Sequence, residues 1–353
     1  MLGSVVALAA CGAAGPQRAS LASANGTRAH QQAAARTARR SAVPGAGMVS
    51  SSDPAHVIGD GTAASCTSQA VVAAVAAGGT ITFSCGPSPV TITLQATARI
   101  RNTSPRVDIN GGGLVTLSGG GVRRILYMDT CDPAQVWTTS HCQDQSEPKL
   151  VVQDLTFADG NSTGRHYDGG GGGAIFARGG RLRVIDSHFT GNRCDSTGPD
   201  LGGAAIRALS QYHGRPVHII DSTFRYGRCS NGGALSSIGV SWVIRDSIFA
   251  HNRAIGRGAN PAKSGTPGGG SGGAIYTDGD AYTVTIDNSI IRRNHANEGG
   301  GSIFFVSDDR TGSLRIEHSA LSRNRSAGFH TAGYPGIFFL GAGHPIIIDS
   351  SLG

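Results

Sequence analysis

The sequence predicts an all-β fold: a single chain wound into a right-handed parallel β-helix, or β-solenoid, with a short capping helix near its N-terminal end. Three observations predict it. Glycine supplies 54 of 353 residues, with aromatic residues at 6% and charged residues at 15%. That is about twice the usual glycine share of roughly 7%, and it suits short strands joined by tight turns better than a helical bundle. A motif then recurs from residue 150 onward: Asp186-Ser-His-Phe-Thr-Gly-Asn192, Asp221-Ser-Thr-Phe-Arg-Tyr-Gly227, Asp246-Ser-Ile-Phe-Ala-His-Asn252, Asn288-Ser-Ile-Ile-Arg-Arg-Asn294 and His318-Ser-Ala-Leu-Ser-Arg-Asn324. Each copy leads into a glycine-rich strand start, as in Gly172-Gly-Ala-Ile175, Gly202-Gly-Ala-Ala-Ile206, Gly232-Gly-Ala-Leu235, Gly272-Gly-Ala-Ile275 and Gly300-Gly-Ser-Ile303.

The apolar position of the repeat advances through Phe157, Phe189, Phe224, Phe249, Ile291 and Leu321, a period of 25–42 residues. A period in that range marks a solenoid. Short β-branched runs with no helix between them disfavour helical repeats. Equivalent residues of successive coils should stack about 4.8 Å apart. Phe and Ile would then form interior stacks. The Asn positions would form a turn ladder, where Asn tolerates left-handed φ and bonds its neighbours. The glycine pairs would make sharp corners beside packed strands.

Taken in order, residues 1–11 read as a lipoprotein-type signal, Leu8-Ala-Ala-Cys11 matching a lipobox with Cys11 as the lipidated residue. Its charged start is missing, which would place the true start upstream of Met1. Residues 12–55, rich in Ala, Ser, Gly and Arg, read as a flexible tether. The solenoid domain runs from 56 to 353, with clear repeats over 150–353. At its start, Thr67 or Ser68 caps a helix with the apolar stripe Val71, Val72 and Val75, stopped by Gly78-Gly79. Such a helix would cover the open end of a solenoid. Strands are expected at Thr80–Ser84, Val90–Leu94, Val107–Ile109, Leu114–Leu117 and Ile125–Met128, with Asp108-Ile-Asn-Gly-Gly-Gly as a turn among them. The chain stops inside a coil at Asp349-Ser-Ser-Leu-Gly353, which fits either a truncated C-terminus or a coil capped by a partner.

The formal charge of +7 is unevenly placed. Arg18, Arg28, Arg36, Arg39 and Arg40 lie in the acid-free stretch 12–52, leaving 25 basic against 23 acidic residues elsewhere. A near-neutral domain argues against nucleic acid as a partner. Of the seven cysteines, setting Cys11 aside for lipid leaves six. Sequential pairing gives Cys66–Cys85, Cys131–Cys142 and Cys194–Cys229. The last pair follows independently from the repeat, because Asn192-Arg-Cys194 and Gly227-Arg-Cys229 occupy one position in consecutive coils, within disulfide reach. Disulfides and the signal both point to export, to the cell envelope or surface.

The Gly-Gly-Ala-Ile and Phe-x-x-Asn repeats resemble those of bacterial polymorphic membrane proteins. The stretch Gly59–Leu126, with Gly78-Gly-Thr-Ile-Thr-Phe and Asp108-Ile-Asn-Gly-Gly-Gly, resembles the N-terminal part of secreted members of the pectin-lyase-like superfamily. Together these resemblances cover about 59–353. They imply a β-helix and leave function open, since that fold hosts lyases, hydrolases and non-catalytic adhesins. The polygalacturonase motifs are absent: Gly343-His344 continues into Pro345, and no Arg-Ile-Lys occurs.

Two constellations remain. Aligned on Ile275 and Ile303, the turn residues Asp278 and Asp280 should stack on Asp308 and Asp309. Four carboxylates there would suit either a Ca²⁺ site or the acid and base of a glycosidase; ordinary solvated turns are the alternative. The variable loops carry Arg165, His166, Tyr167 and Asp168, then Asp195 and Asp200, then Arg257 and Lys263, then His295 and Glu298, then His330 and Tyr334. His295 and Glu298 join the four aspartates as catalytic candidates; Arg165, His166, Tyr167, Arg257, Lys263, His330 and Tyr334 are candidates for substrate binding. A row of Arg193, Arg228, Arg253 and Arg325 follows the Asn positions. Stacked arginines repel unless acceptors intervene, so turn carbonyls are expected to hold them, in preference to a strip for substrate. The expectation for function is a lipid-anchored surface protein that binds an extracellular polysaccharide or cell-surface glycan or mediates adhesion. A polysaccharide lyase or glycoside hydrolase is the alternative.

Overall fold

Each coil turns the chain at three chemically distinct points. The structure is a computed structural model that describes residues 47–166 and 169–353. Cys11, the signal-like segment and most of the tether lie outside them, as do Tyr167 and Asp168. Residues Met48–Gly353 form one unit of three sheets with 17, 8 and 4 strands. Every strand pairing in them is parallel, as between His188–Thr190 and Thr223–Arg225. This is the expected parallel β-solenoid.

The first bend lies within the 17-stranded sheet. The first residue of each repeat adopts left-handed φ: 43° at Asp186, 51° at Asp221, 52° at Asp246, 46° at Asn288 and 47° at His318. Asp and Asn tolerate this region better than other non-glycine residues. The serine that follows points inward and forms a buried ladder. Ser187 N–H donates to Ser222 Oγ (3.2 Å), Ser222 to Ser247 (3.1 Å), Ser247 to Ser289 (3.1 Å), Ser289 to Ser319 (3.0 Å) and Ser319 to Ser350 (3.0 Å). The repeat's Asp-Ser is thus a bend residue and a ladder residue.

The second bend is the Asn ladder. Left-handed φ falls one residue before the Asn, at His251 (61°), Arg293 (54°) and Arg323 (56°), and at Tyr226 (57°) before Gly227, which replaces the Asn in that coil; it does not fall on the Asn itself as the sequence led us to expect. The reason is that the Asn side chain must turn inward to satisfy backbone groups. Asn252 Oδ1 accepts from Gly227 N–H at 3.0 Å, and its Nδ2 donates to the Phe224 carbonyl at 3.0 Å and to Asn294 Oδ1 at 2.9 Å. Substituting Asn252→Ala orphans these buried groups and is expected to cost about 2–3 kcal/mol. Urea denaturation should show a lower midpoint with unchanged slope; an unchanged midpoint would show the ladder to be energetically idle.

The third bend enters the eight-stranded sheet through the glycine pair. Gly272 sits at φ 69°. Its neighbour Gly273 lies so close to the next coil that a Cβ would come within 2.1 Å of the Gly301 carbonyl oxygen. Between the sheets, Phe157, Phe189, Phe224 and Phe249 stack at centroid distances of 4.8, 4.6 and 4.7 Å. Ile291 and Leu321 continue the column.

The helix Ser68–Ala77 is capped by Thr67, whose side chain accepts from Ala70 N–H, and ends at Gly78. Val71, Ala74 and Val75 are its buried residues, while Val72 is only partly buried. The helix packs on Ala98–Ile100, the end strand of the eight-stranded sheet. The expected Asp108 turn is instead part of one strand, Arg106–Ser118. Pairing jumps from Asn110↔Gln153 to Val115↔Leu155, so the glycines 111–113 and Leu114 bulge out. Asp108 is buried and ion-paired with Arg106. Contacts with the solenoid also begin before residue 56. The buried Gln153 amide needs partners, and Val49 supplies both: its N–H donates to Gln153 Oε1 at 2.8 Å and its carbonyl accepts from Nε2 at 2.7 Å.

All three expected disulfides are present, Cys66–Cys85, Cys131–Cys142 and Cys194–Cys229, with Cα separations of 5.7, 5.0 and 4.7 Å. Three disulfides fit an oxidising, extracytoplasmic compartment. No helix among the described residues is long and apolar enough to cross a membrane.

Candidate functional site

The outward face of the eight-stranded sheet carries a column of large residues. Register places Tyr127 beside Phe176, Phe176 beside Arg207, Arg207 beside Ser236, Ser236 beside Tyr276, Tyr276 beside Phe304 and Phe304 beside Phe338. Six of these outward residues are nonetheless almost wholly buried: Tyr127, Phe176, Arg207, Ser236, Tyr276 and Phe304 are 0–3% exposed. Over them lies a cleft of about 740 Å³ whose walls include Arg178, Asp200, Arg207, Asn260, Asp278, Phe304 and Asp308.

One hydrogen-bond network organises this cleft. Asn260 Nδ2 donates to Asp200 Oδ1, to the Tyr276 hydroxyl and to Asp278 Oδ2, each at 3.0 Å. The Tyr276 hydroxyl in turn donates to Asp278 Oδ2 at 2.9 Å. Arg207 donates to Ser236 Oγ and to the Asp200 carbonyl, while its Nε has no partner among the described residues. Burial brings Arg207 down to about 10, so it stays charged at neutral pH. Burial likewise lifts the Asp278 carboxyl above its ordinary range, with Asp308 and Asp200 adding like charge against the Tyr276 and Gly279 hydrogen bonds. Burial and the nearby Asp278 raise Tyr276 well above the usual phenol.

Of the four stacked aspartates, Asp278 and Asp308 reach the cleft. Asp280 is exposed. Asp309 is engaged in its own turn, accepting from Thr311 and Ser307, which hold its carboxyl below the usual range. The calcium set expected from the sequence is therefore not assembled. Among the described residues no group of three or more His, Cys, Asp or Glu side chains is arranged to hold a metal ion.

The loop candidates scatter. His166 Nε2 lies 3.0 Å from Asp195 Oδ1, and Arg165 is exposed beside it. Lys263 pairs with Glu298 at 3.5 Å, and Glu298 also accepts from Gly258 N–H at 2.9 Å, so both fasten the loop that starts at Gly256. Arg257 bridges to Gly268 within that loop. His295 lies in the four-stranded sheet, His330 is exposed, and Tyr334 packs against the core. Tyr167 lies outside the described residues. The sequence reading missed Arg207, Tyr276 and Asn260. A lone Arg in a column of aromatics was the available signal for Arg207. Nothing local marked Asn260, which reaches the sheet only because its loop folds back.

Comparison with protein-family models, curated proteins and solved structures returns no match.

Proposed function

We propose that this is an exported surface protein that binds a glycan in the cleft over its eight-stranded sheet. The Asp200–Asn260–Tyr276–Asp278 network carries the reading. Sugar hydroxyls both donate and accept, and the carboxylates of Asp200 and Asp278 with the Asn260 amide, held in place from beneath by the buried Tyr276 hydroxyl, match that chemistry. The repeats that resemble the pectin-lyase-like superfamily and the polymorphic membrane proteins support a surface role. Lipidation at Cys11 would tether the solenoid there.

Hydrolysis is the second reading, favoured by one observation. A carboxyl whose pKa is raised by burial, Asp278, faces other acids, Asp308 and Asp200. Environments that push two carboxyls apart in pKa separate a general acid from a base.

The test is titration calorimetry of the full chain against neutral and acidic oligosaccharides, with product analysis. Binding by at least one is expected, with Asp200→Ala and Asp308→Ala each lowering affinity about fivefold to tenfold through lost hydrogen bonds to the ligand. No binding by any oligosaccharide would sink the proposal. New reducing ends that vanish in Asp278→Asn, with binding retained, would establish the hydrolase; unsaturated uronate absorbance would indicate a lyase.

A further inference from the structure

The corner after the Asn ladder carries one basic residue per coil. Strand pairing sets Arg193 beside Arg228, Arg228 beside Arg253, Arg253 beside His295 and His295 beside Arg325. At a rung spacing of about 4.8 Å the column is roughly 19 Å long. Arg225 and Arg292 lie in one flanking register, and Arg293 and Arg323 occupy the left-handed positions next to it. The chain contains no Asp or Glu over 222–233, 247–257, 289–297 or 319–336. The near-neutral domain therefore concentrates positive charge on one edge.

Only Arg193 is held by a turn carbonyl as the sequence suggested. Arg193 donates to the Gly121 carbonyl. Arg228, Arg253 and Arg325 are exposed, with no side-chain hydrogen bond or ion pair among the described residues. The nearby carbonyls accept from backbone amides, not from these guanidinium groups. Arg228 N–H bonds the Asn192 carbonyl, Arg253 N–H that of Gly227 and Arg325 N–H that of Asn294. Nor does the fold require arginine here, since Asn161 fills the same register beside Arg193. Like charges directly opposite on neighbouring strands are destabilising. His295 shows the field they make: burial, then Arg253 and Arg325, hold its imidazole below the usual value.

We propose that this stripe is a docking strip for a linear, densely charged anionic glycan of the sulfated or phosphorylated class, lying along the solenoid axis. Shape and charge density choose this partner. Three coils present two arginines each (Arg225 with Arg228, Arg292 with Arg293, Arg323 with Arg325). A uronic chain offers one carboxylate per sugar, fewer than the strip can neutralise; sulfate or phosphate esters offer more, with acceptor oxygens that suit the guanidinium fork. Single-stranded nucleic acid calls for a row of aromatic platforms. The strip has Tyr226, whose ring already stacks on His251 at 5.4 Å. An anionic membrane favours a broad basic face with apolar side chains to insert, and this is a narrow edge. Affinity would come from neutralised charge and released counterions. No residue of the strip lines the cleft, so this site and the cleft stand or fall separately.

The experiment measures binding of a size-defined heparin oligosaccharide to the full chain across a salt series. Arg228→Gln, Arg253→Gln and Arg325→Gln are each expected to weaken binding about threefold, and the triple variant about thirtyfold. The slope of log K against log salt should fall by about one unit per arginine removed. A control pair from a separate basic patch, Arg183→Gln with Arg215→Gln, should leave affinity within about twofold. Polygalacturonate of equal length should bind about tenfold more weakly than heparin. Thermal melting of the triple variant should be unchanged or higher, because repulsion is relieved. Unchanged affinity in the triple variant overturns the proposal, as does an equal loss in the control pair. Tighter binding to a single-stranded oligonucleotide or to phosphatidylglycerol vesicles than to heparin also overturns it.

Discussion

Replacing Phe224 by alanine is expected to cost about 3–5 kcal/mol of stability. Phe224 is fully buried, its ring sandwiched between Phe189 at 4.6 Å and Phe249 at 4.7 Å. The cavity left behind would be bounded above and below by rings whose strands are fixed by the Ser and Asn ladders. It could close only if the rung spacing changed, and hydrogen bonding between parallel strands resists that. Solenoid stability is approximately a sum of neighbour terms. A weakened interface in mid-stack should therefore also broaden the unfolding transition or split it. Guanidinium denaturation followed by circular dichroism measures both effects. A loss below about 1 kcal/mol would mean that the interior column is not close-packed.

Removing the Cys194–Cys229 disulfide with a Cys194→Ala, Cys229→Ala double variant is expected to cost about 2–4 kcal/mol. The bridge closes a loop with a sequence separation of 35 residues, for which chain entropy alone predicts a loss of about 3–4 kcal/mol. It also packs with Ala204 in a small buried cluster of its own, apart from the main core. The sulfurs are buried, Cys194 being 5% exposed and Cys229 0%, so reductant should act only after local opening. Thermal melts of the double variant beside the parent, with and without dithiothreitol, check this. Equal melting temperatures would show that the ladders already hold these two rungs. Peptide mapping without reductant should recover Cys194 joined to Cys229 and neither thiol free.

The candidate cleft was half legible. Register carries Asp278 and Asp308 to the turns of adjacent rungs, because alignment on Ile275 and Ile303 places both just past the paired strands, though it sets Asp278 level with Val306 and Asp308 level with Asp280. Asp309 has the same claim on paper, yet its carboxylate accepts from Thr311 two residues on, a local contact that outcompetes the cleft. Arg207, Asn260 and Tyr276 were not found. Outward positions of a strand are normally solvent-facing, and only the returning loops turned this face into an interior. The arginine row was aligned correctly, but the expected turn-carbonyl partner is met only at Arg193. Alignment places Cα atoms; it does not tell which way a long side chain points, and Arg228, Arg253 and Arg325 are exposed while the Asn192, Gly227 and Asn294 carbonyls accept backbone amides of the next coil.

What the sequence determined by itself was everything that depends on the rung-to-rung repeat. It determined the parallel solenoid, the interior Phe column, the Asn ladder and the stacking of Cys194 on Cys229. Repetition makes these legible, since one register fixes every neighbour and each rung is an independent vote for it. The tertiary structure alone decided what the non-repeating loops of 195–202 and 256–270 cover. It buried Arg207 and Tyr276 on the outer face of a sheet, joined Asn260 to two aspartates, and left Arg228, Arg253 and Arg325 exposed on the corner. Those outcomes depend on side-chain directions and on competition for acceptors across distant segments, and no period in the chain encodes them.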